Sequence, residues 1–236
     1  MRTLRGFLQI AAASLLLAAP AAAQKGFPFT GESLRYSINW PSGLSLGEST
    51  LTAHKTDKGW DFDVTLEAGV PGFAMADKFR SLATGDLCSL ELDRDISHGG
   101  RKSREKTTFL QEAGKAHRVT VFPADGGTTD FDIPSCARDA LALVYYTRKE
   151  LGQGRVPPAQ TVFFGSSYSV RMDYAGAETI TGGDKKPAVT DHMTITVRGP
   201  KANFTCEVFY ARDAARTPLA IRVPLALGTF SMELVR

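Results

Sequence analysis

The residues of this chain with the chemistry to act as ligands or nucleophiles are four histidines, three cysteines and a scatter of serines. Their spacing gathers none of them into a motif. His54, His98, His117 and His192 are too far apart in sequence to form a local ligand pair, and no Cys-x-x-Cys accompanies them, so no metal site is expected. Gly165-Ser166-Ser167 lacks the Gly-x-Ser-x-Gly elbow of a serine hydrolase. No catalytic residue and no cofactor is therefore assigned, and a hydrolase is the least favoured reading. The densest charge runs from Arg94 to Lys106, with five basic residues against two acids. On a hairpin, Arg101, Lys102 and Arg104 are candidates for contact with phosphate groups of lipids or another anionic envelope polymer. A solvated hairpin with ordinary charges is the plainer reading. The third group is aromatic. Tyr36, Trp40, Trp60, Phe62, Tyr168 and Tyr174 fall on the apolar sides of alternating segments. They are candidates to line an apolar pocket if the sheet encloses one, and core residues if it does not.

The elements that must position these groups are mostly strands. Leu34, Tyr36, Ile38 and Trp40 alternate with polar residues, and so do Trp60, Phe62, Val64 and Leu66. The same period of two recurs at Tyr168–Tyr174, at Met193–Val197 and near the end of the chain. Alternation of this kind buries one strand face and leaves the other in water, the habit of antiparallel sheets. Asp57-Lys58-Gly59, Asp125-Gly126-Gly127, Tyr174-Ala175-Gly176 and Gly182-Gly183-Asp184 read as hairpin tips. The expected architecture is a mainly β, single-domain, antiparallel sheet, strongly curved or forming an open barrel, with one short amphipathic helix. That helix is expected over residues 135–150, with Ser135 as N-cap and the Leu141/Tyr145 side on the sheet.

The ends set the expected compartment. Arg2 and Arg5, an apolar run from Phe7 to Ala19 and the small residues Ala21-Ala22-Ala23 have the form of a secretory signal peptide, which divides the chain into 1–23 and a β-rich domain over 24–236. No Cys lies near that cleavage site, so a periplasmic protein rather than a lipoprotein is expected, with no transmembrane segment after cleavage. Removing 1–23 takes away Arg2 and Arg5 and no acid, lowering the formal charge from +3 to +1. A near-neutral domain gives no reason to expect nucleic-acid binding. Cys88 and Cys136 both lie beside turn-rich sequence and are the favoured disulfide, with three reduced thiols as the alternative. Cys206 sits on the apolar side of a strand and is assigned as a small core hydrophobe.

Two stretches carry a resemblance. Asp139-Ala140-Leu141-Ala142-Leu143-Val144-Tyr145-Tyr146-Thr147-Arg148 is followed by Gly154. Glu207-Val208-Phe209-Tyr210-Ala211-Arg212-Asp213 leads through Thr217-Pro218-Leu219 to Gly228-Thr229-Phe230-Ser231-Met232-Glu233-Leu234. With the opening Leu34-x-Tyr36-x-Ile38-x-Trp40, these resemble the bacterial domain-of-unknown-function family 3108. The resemblance implies an exported, β-rich envelope protein and no reaction. The family's helix commonly carries Ser where this chain has Ala142, so no hydroxyl chemistry is carried over there. The expected function is a noncatalytic binding or carrier module for an apolar or lipid-like ligand. The alternative is an assembly factor that takes an envelope protein along a strand edge.

Overall fold

The computed structural model describes residues 31–225 and 228–235. The chain forms one meander. Strands β1 (Gly31–Asn39), β2 (Ser45–Thr56), β3 (Gly59–Val70), β4 (Phe73–Ala83), β5 (Ser89–His98), β6 (Arg101–Leu110), β7 (Lys115–Phe122) and β8 (Thr128–Asp132) follow one another. A two-residue strand β9 (Arg138–Asp139) then leads into helix α1 (Ala140–Gly152). Strands β10 (Gln160–Phe163), β11 (Ser167–Thr181), β12 (Pro187–Arg198), β13 (Asn203–Ala211), β14 (Pro218–Leu225) and β15 (Gly228–Val235) complete it. All fifteen described strands lie in one sheet, in the order β8-β7-β6-β5-β4-β3-β2-β1-β15-β14-β13-β12-β11-β10-β9. The last strand returns to pair with the first, Tyr36 opposite Leu234 and Ile38 opposite Met232. Each neighbouring pair is antiparallel except β9 with β10. Hairpins therefore alternate between the two ends of the sheet.

The period of two is what curls it. Tyr36, Leu51, Phe62, Leu92, Met193 and Val208 all turn to one face and are buried there. A sheet this wide, buried on one face only, must wrap something. It wraps α1. Phe62 stacks on Tyr145 of the helix, ring centroids 4.2 Å apart. On the other side, Leu143 and Leu151 pack with Val170, Met172, Met193 and Val208 of β11–β13. The helix is thus covered beyond the Leu141/Tyr145 stripe that the sequence predicts.

Two local expectations need correction. The helix begins at Ala140, and its N-cap is Asp139 rather than Ser135. Cys136 adopts a left-handed φ of 53°, and residues 138–139 pair with β10, so that segment is committed to extended structure. Tyr174-Ala175-Gly176 is not a hairpin tip. It is a bulge inside β11, where the register against β12 shifts between Tyr174 and Gly176. Gly at a bulge serves the same permissive role as Gly at a turn, which explains the misreading.

Cys206 is buried and free. Burial pushes its thiol up to about 11, so it stays protonated and chemically quiet. Among the described residues no helix is long and apolar enough to cross a membrane. The expected signal peptide lies outside the described residues.

Candidate functional site: the seam of the curled sheet

The sheet curls far enough to bring its two ends together, and the junction is built from named contacts. Cys88, before β5, is bridged to Cys136, before β9. Next to the bridge, the Ser89 amide donates to Ala137 O at 2.9 Å. The Gln111 side chain clips the same place. Its Nε2 donates to Ser89 O (2.5 Å) and Ala137 O (3.0 Å), and its Oε1 accepts from Ala137 N (3.0 Å). Here one backbone bond, one amide side chain and one disulfide join the start of β5 to the segment before β9.

Asp139 secures the helix to this junction. Its side chain is fully buried. Oδ1 accepts from the Leu141 and Ala142 amides at 2.8 and 3.0 Å, the N-cap geometry. Oδ2 accepts from the Ser81 and Ser89 hydroxyls, each at 2.6 Å. Ser89 Oγ accepts in turn from the Asp139 amide at 2.8 Å. Burial pushes this carboxyl above the usual carboxylate range, and the four donors pull it back. Every lone pair is used in holding structure, and the group is shut away from any reactant. Asn at position 139 keeps the cap acceptor, and the serine hydroxyls can rotate to accept from its amide. Asp139→Asn is therefore expected to cost about 1 kcal/mol, and Asp139→Ala about 3 kcal/mol, in urea unfolding. Equal costs would show that the cap and the serine contacts are energetically idle.

Beside the junction the sheet ends diverge and leave a cleft of about 420 Å³. Leu92, Phe131 and Phe163 supply its apolar wall. Phe131 and Phe163 stack with ring centroids 5.4 Å apart. Arg118, Asp132 and the hydroxyls of Thr107, Thr129, Thr161, Ser166 and Ser167 supply polar groups. The Arg118 guanidinium spans the opening, donating to Gly165 O and, at 3.3 Å, to Thr129 Oγ1. The β10–β11 turn is held from below by Arg94, whose guanidinium lies 4.5 Å from the Phe164 ring centre and bonds Glu105 at 2.6 Å. Glycine at 165 suits a φ of +71°, and a Cβ there would fall 1.7 Å from an Arg94 nitrogen and push that guanidinium aside. Burial pulls the Arg94 guanidinium below its ordinary value.

The six aromatic candidates are not brought to this cleft. Tyr36, Trp60 and Phe62 are core residues, and Trp60 and Phe62 pack in the cluster that includes Tyr145 of α1. Helix α1 fills the space they were expected to line. Tyr36 donates its hydroxyl to Pro218 O at 2.8 Å. Tyr168 is half-buried against the β11–β13 side of the core. Trp40 stands edge-on to Phe230 at 4.8 Å and borders a separate polar groove with Ser37 and Arg222. Tyr174, beside the bulge, is 50% exposed, and its hydroxyl lies 3.3 Å from Asp191 Oδ1. In the basic segment, Arg94, Arg104 and Lys106 are engaged by Glu105, Asp95 and Glu91 at 2.6, 2.9 and 2.6 Å. Arg101 and Lys102, at the hairpin tip, stay exposed.

The structure also shows a buried ion pair that the sequence did not reveal. The Arg148 side chain is fully buried and forms a two-pronged pair with Glu32, whose carboxylate is 12% exposed. Arg148 Nε donates to Ala215 O at 2.9 Å, and its guanidinium lies 5.0 Å from the Tyr145 ring centre. Burial raises the neighbouring Tyr36, Tyr145 and Tyr210 hydroxyls above their ordinary values, against the pull of Arg148. Glu32 and Arg148 are 116 residues apart, so no spacing rule could have joined them. Asp213, in the same loop as Ala215, accepts from the Thr217 amide and hydroxyl at 3.0 and 2.7 Å and serves the turn. Among the described residues no group of three or more His, Cys, Asp or Glu could hold a metal ion.

A curled, unclosed sheet around one helix places the chain among β-barrel-like folds. It is similar to the crystal structure of a beta-barrel-like protein of domain of unknown function DUF1849 from Brucella abortus, with a TM-score of 0.64 at 10% identity, over 88% of this chain and 96% of that one. At that identity the likeness is one of fold. Residues 35–235 match the family described as "Protein of unknown function (DUF3108)", and the chain belongs to that family. No curated protein matches the chain.

Proposed function

We propose that the protein is a noncatalytic binding module of the periplasm, and that the seam cleft holds an apolar or lipid-like ligand with a polar head. One observation carries this reading: the curled sheet leaves a 420 Å³ cleft whose wall is Leu92, Phe131 and Phe163 and whose polar edge is Arg118. That size lies within the usual range for small-ligand sites, and a mostly apolar lining with a few convergent polar groups is their usual composition. An acyl chain would lie along the phenylalanines, and its head would take the guanidinium N–H groups of Arg118. The periplasmic assignment rests on the signal-like residues 1–23. The buried carboxylate and the buried ion pair are spent on structure, which supports a binder rather than an enzyme.

Two measurements test it. Native purification followed by solvent extraction and mass spectrometry is expected to yield a co-purifying lipid. Titration with a fluorescent fatty acid is expected to weaken about tenfold in Phe131→Ala and in Arg118→Gln, the loss that about 1.4 kcal/mol represents. An empty extract together with unchanged affinity in both variants would end the carrier reading.

The free edge of β8 supports a second reading. Thr128–Asp132 closes one end of the strand order and is mostly exposed. Such an edge can accept an added strand from a partner polypeptide. In vivo crosslinking from Thr128 that captures one stoichiometric protein, with no lipid in the extract, would favour it over the carrier.

A further inference from the structure

We propose that the end of the sheet carrying the β1–β2, β3–β4, β5–β6 and β7–β8 turns docks on an anionic lipid bilayer surface. The proposal rests on the binding-module reading above and adds the place where the ligand is collected.

The alternation of hairpins puts these turns, with those of β10–β11 and β12–β13, at one end of the molecule. Large apolar side chains stand exposed there: Leu44 at 66%, Val70, Phe73 at 46%, Val121 and Phe122 at 52%. They come from the β1–β2, β3–β4 and β7–β8 hairpins, with the β5–β6 hairpin standing between the last two. Neighbouring tips touch, since the Phe73 ring lies 2.7 Å from where a Gly99 Cβ would stand. Hairpin tips are normally polar, and a ring of apolar tips is a feature of surfaces that enter an interface.

Charge identifies the partner. The described turns at this end, taken with two flanking residues on each side (38–46, 69–74, 97–102, 121–129, 162–168 and 197–204), hold Arg101, Lys102, Arg198 and Lys201 against Asp125 alone. The described hairpin turns at the opposite end, taken with the same flanks (55–60, 82–90, 109–116, 180–188 and 210–219), hold seven basic residues and five acids. Mixed charge is what a solvated end shows. Apolar tips interleaved with unbalanced cations suit a surface that is greasy beneath and negative on top, which describes phospholipid headgroups over acyl chains. The cleft reaches this end through Gly165, Ser166 and Pro200 and runs along the seam to Asp132 and Pro134. A docked molecule would present that end of the cleft to the bilayer.

The test is flotation of the full chain with vesicles of phosphatidylcholine alone or with one-third phosphatidylglycerol. Binding is expected only to the anionic vesicles. Phe73→Ser/Phe122→Ser and Arg101→Ala/Lys102→Ala are each expected to lower the partition about tenfold or more, at about 1 kcal/mol per basic residue near the surface. Leu110→Ser, an equally exposed apolar change at the opposite end, is expected to leave it unchanged. All these side chains are exposed, and circular dichroism confirms that each variant is folded. No flotation with anionic vesicles, or an equal loss in Leu110→Ser, overturns the proposal. The fluorescent fatty acid titration, run on the same variants in free solution, separates the two readings. Unchanged probe affinity alongside absent flotation sinks docking and leaves the cleft standing, whereas absent probe binding sinks the cleft itself.

Discussion

Glu32→Gln is expected to destabilise the fold by about 3–5 kcal/mol, measured by urea unfolding at neutral pH. The substitution keeps the shape of the side chain and removes its charge. The Arg148 guanidinium, fully buried and always protonated, then loses the carboxylate charge that balances it, while Ala215 O and the Tyr145 ring stay beside it. An uncompensated charge in the interior is among the costliest defects a fold can carry, far beyond the loss of one hydrogen bond. Asp95→Asn is the matching control. Its pair with Arg104 has side chains 45% and 59% exposed, and water replaces the lost partner at a cost under about 1 kcal/mol. A second variant isolates the charge from the contact. Glu32→Leu/Arg148→Met removes both charges at similar volume and is expected to recover most of the loss. If Glu32→Gln costs no more than Asp95→Asn, the pair is a solvated contact and the account of the buried end of α1 is wrong.

The second large effect concerns the junction. Cys88→Ser/Cys136→Ser is expected to lower stability by about 4 kcal/mol, because the bridge closes a chain segment of 48 residues and shrinks the unfolded ensemble accordingly. For a chain of this size, the melting temperature should fall on the order of 10 °C. The loss should also have a location. Amide exchange at Ala137, Asp139 and Ser89 should rise ahead of exchange at Tyr36 or Met193, since the first set sits at the seam, where β5 meets the segment before β9 by a single backbone bond. The ligand cleft borders that junction, so the same variant should bind the fluorescent fatty acid more weakly at temperatures where it is still folded. A uniform rise in exchange across the sheet would show that the bridge acts on the unfolded chain alone and does not hold the seam.

Strand positions and faces were legible in the sequence because a period of two is a local property. Tyr36, Ile38, Trp60, Phe62, Val170, Met172 and Met193 face inward as their spacing predicts, and the segment with helical spacing does form the helix. The turn chemistry of Gly also fits the hairpins at 57–59, 125–127 and 182–184. The pairing of Cys88 with Cys136 could be narrowed because Cys206 alone sits within a strand pattern. The start of the helix was misplaced for a tertiary reason. Ser135 and Asp139 are both suitable caps, and the choice between them depends on residues 138–139 meeting β10 and on Ser81 and Ser89 arriving from 58 and 50 residues away.

What the amino-acid order determined, then, was which side chains turn inward and roughly where each element lies. Only the tertiary structure decided what the inward side chains meet. Whether Phe62 lines a void or stacks on Tyr145, and whether Arg148 is a surface charge or a buried one, depends on how far the sheet curls and where it fails to close. Those are sums over many strand twists and registers, and they bring together residues as distant as Glu32 and Arg148. Periodicity records the direction of a side chain relative to its own strand, and carries no information about which distant strand will stand opposite.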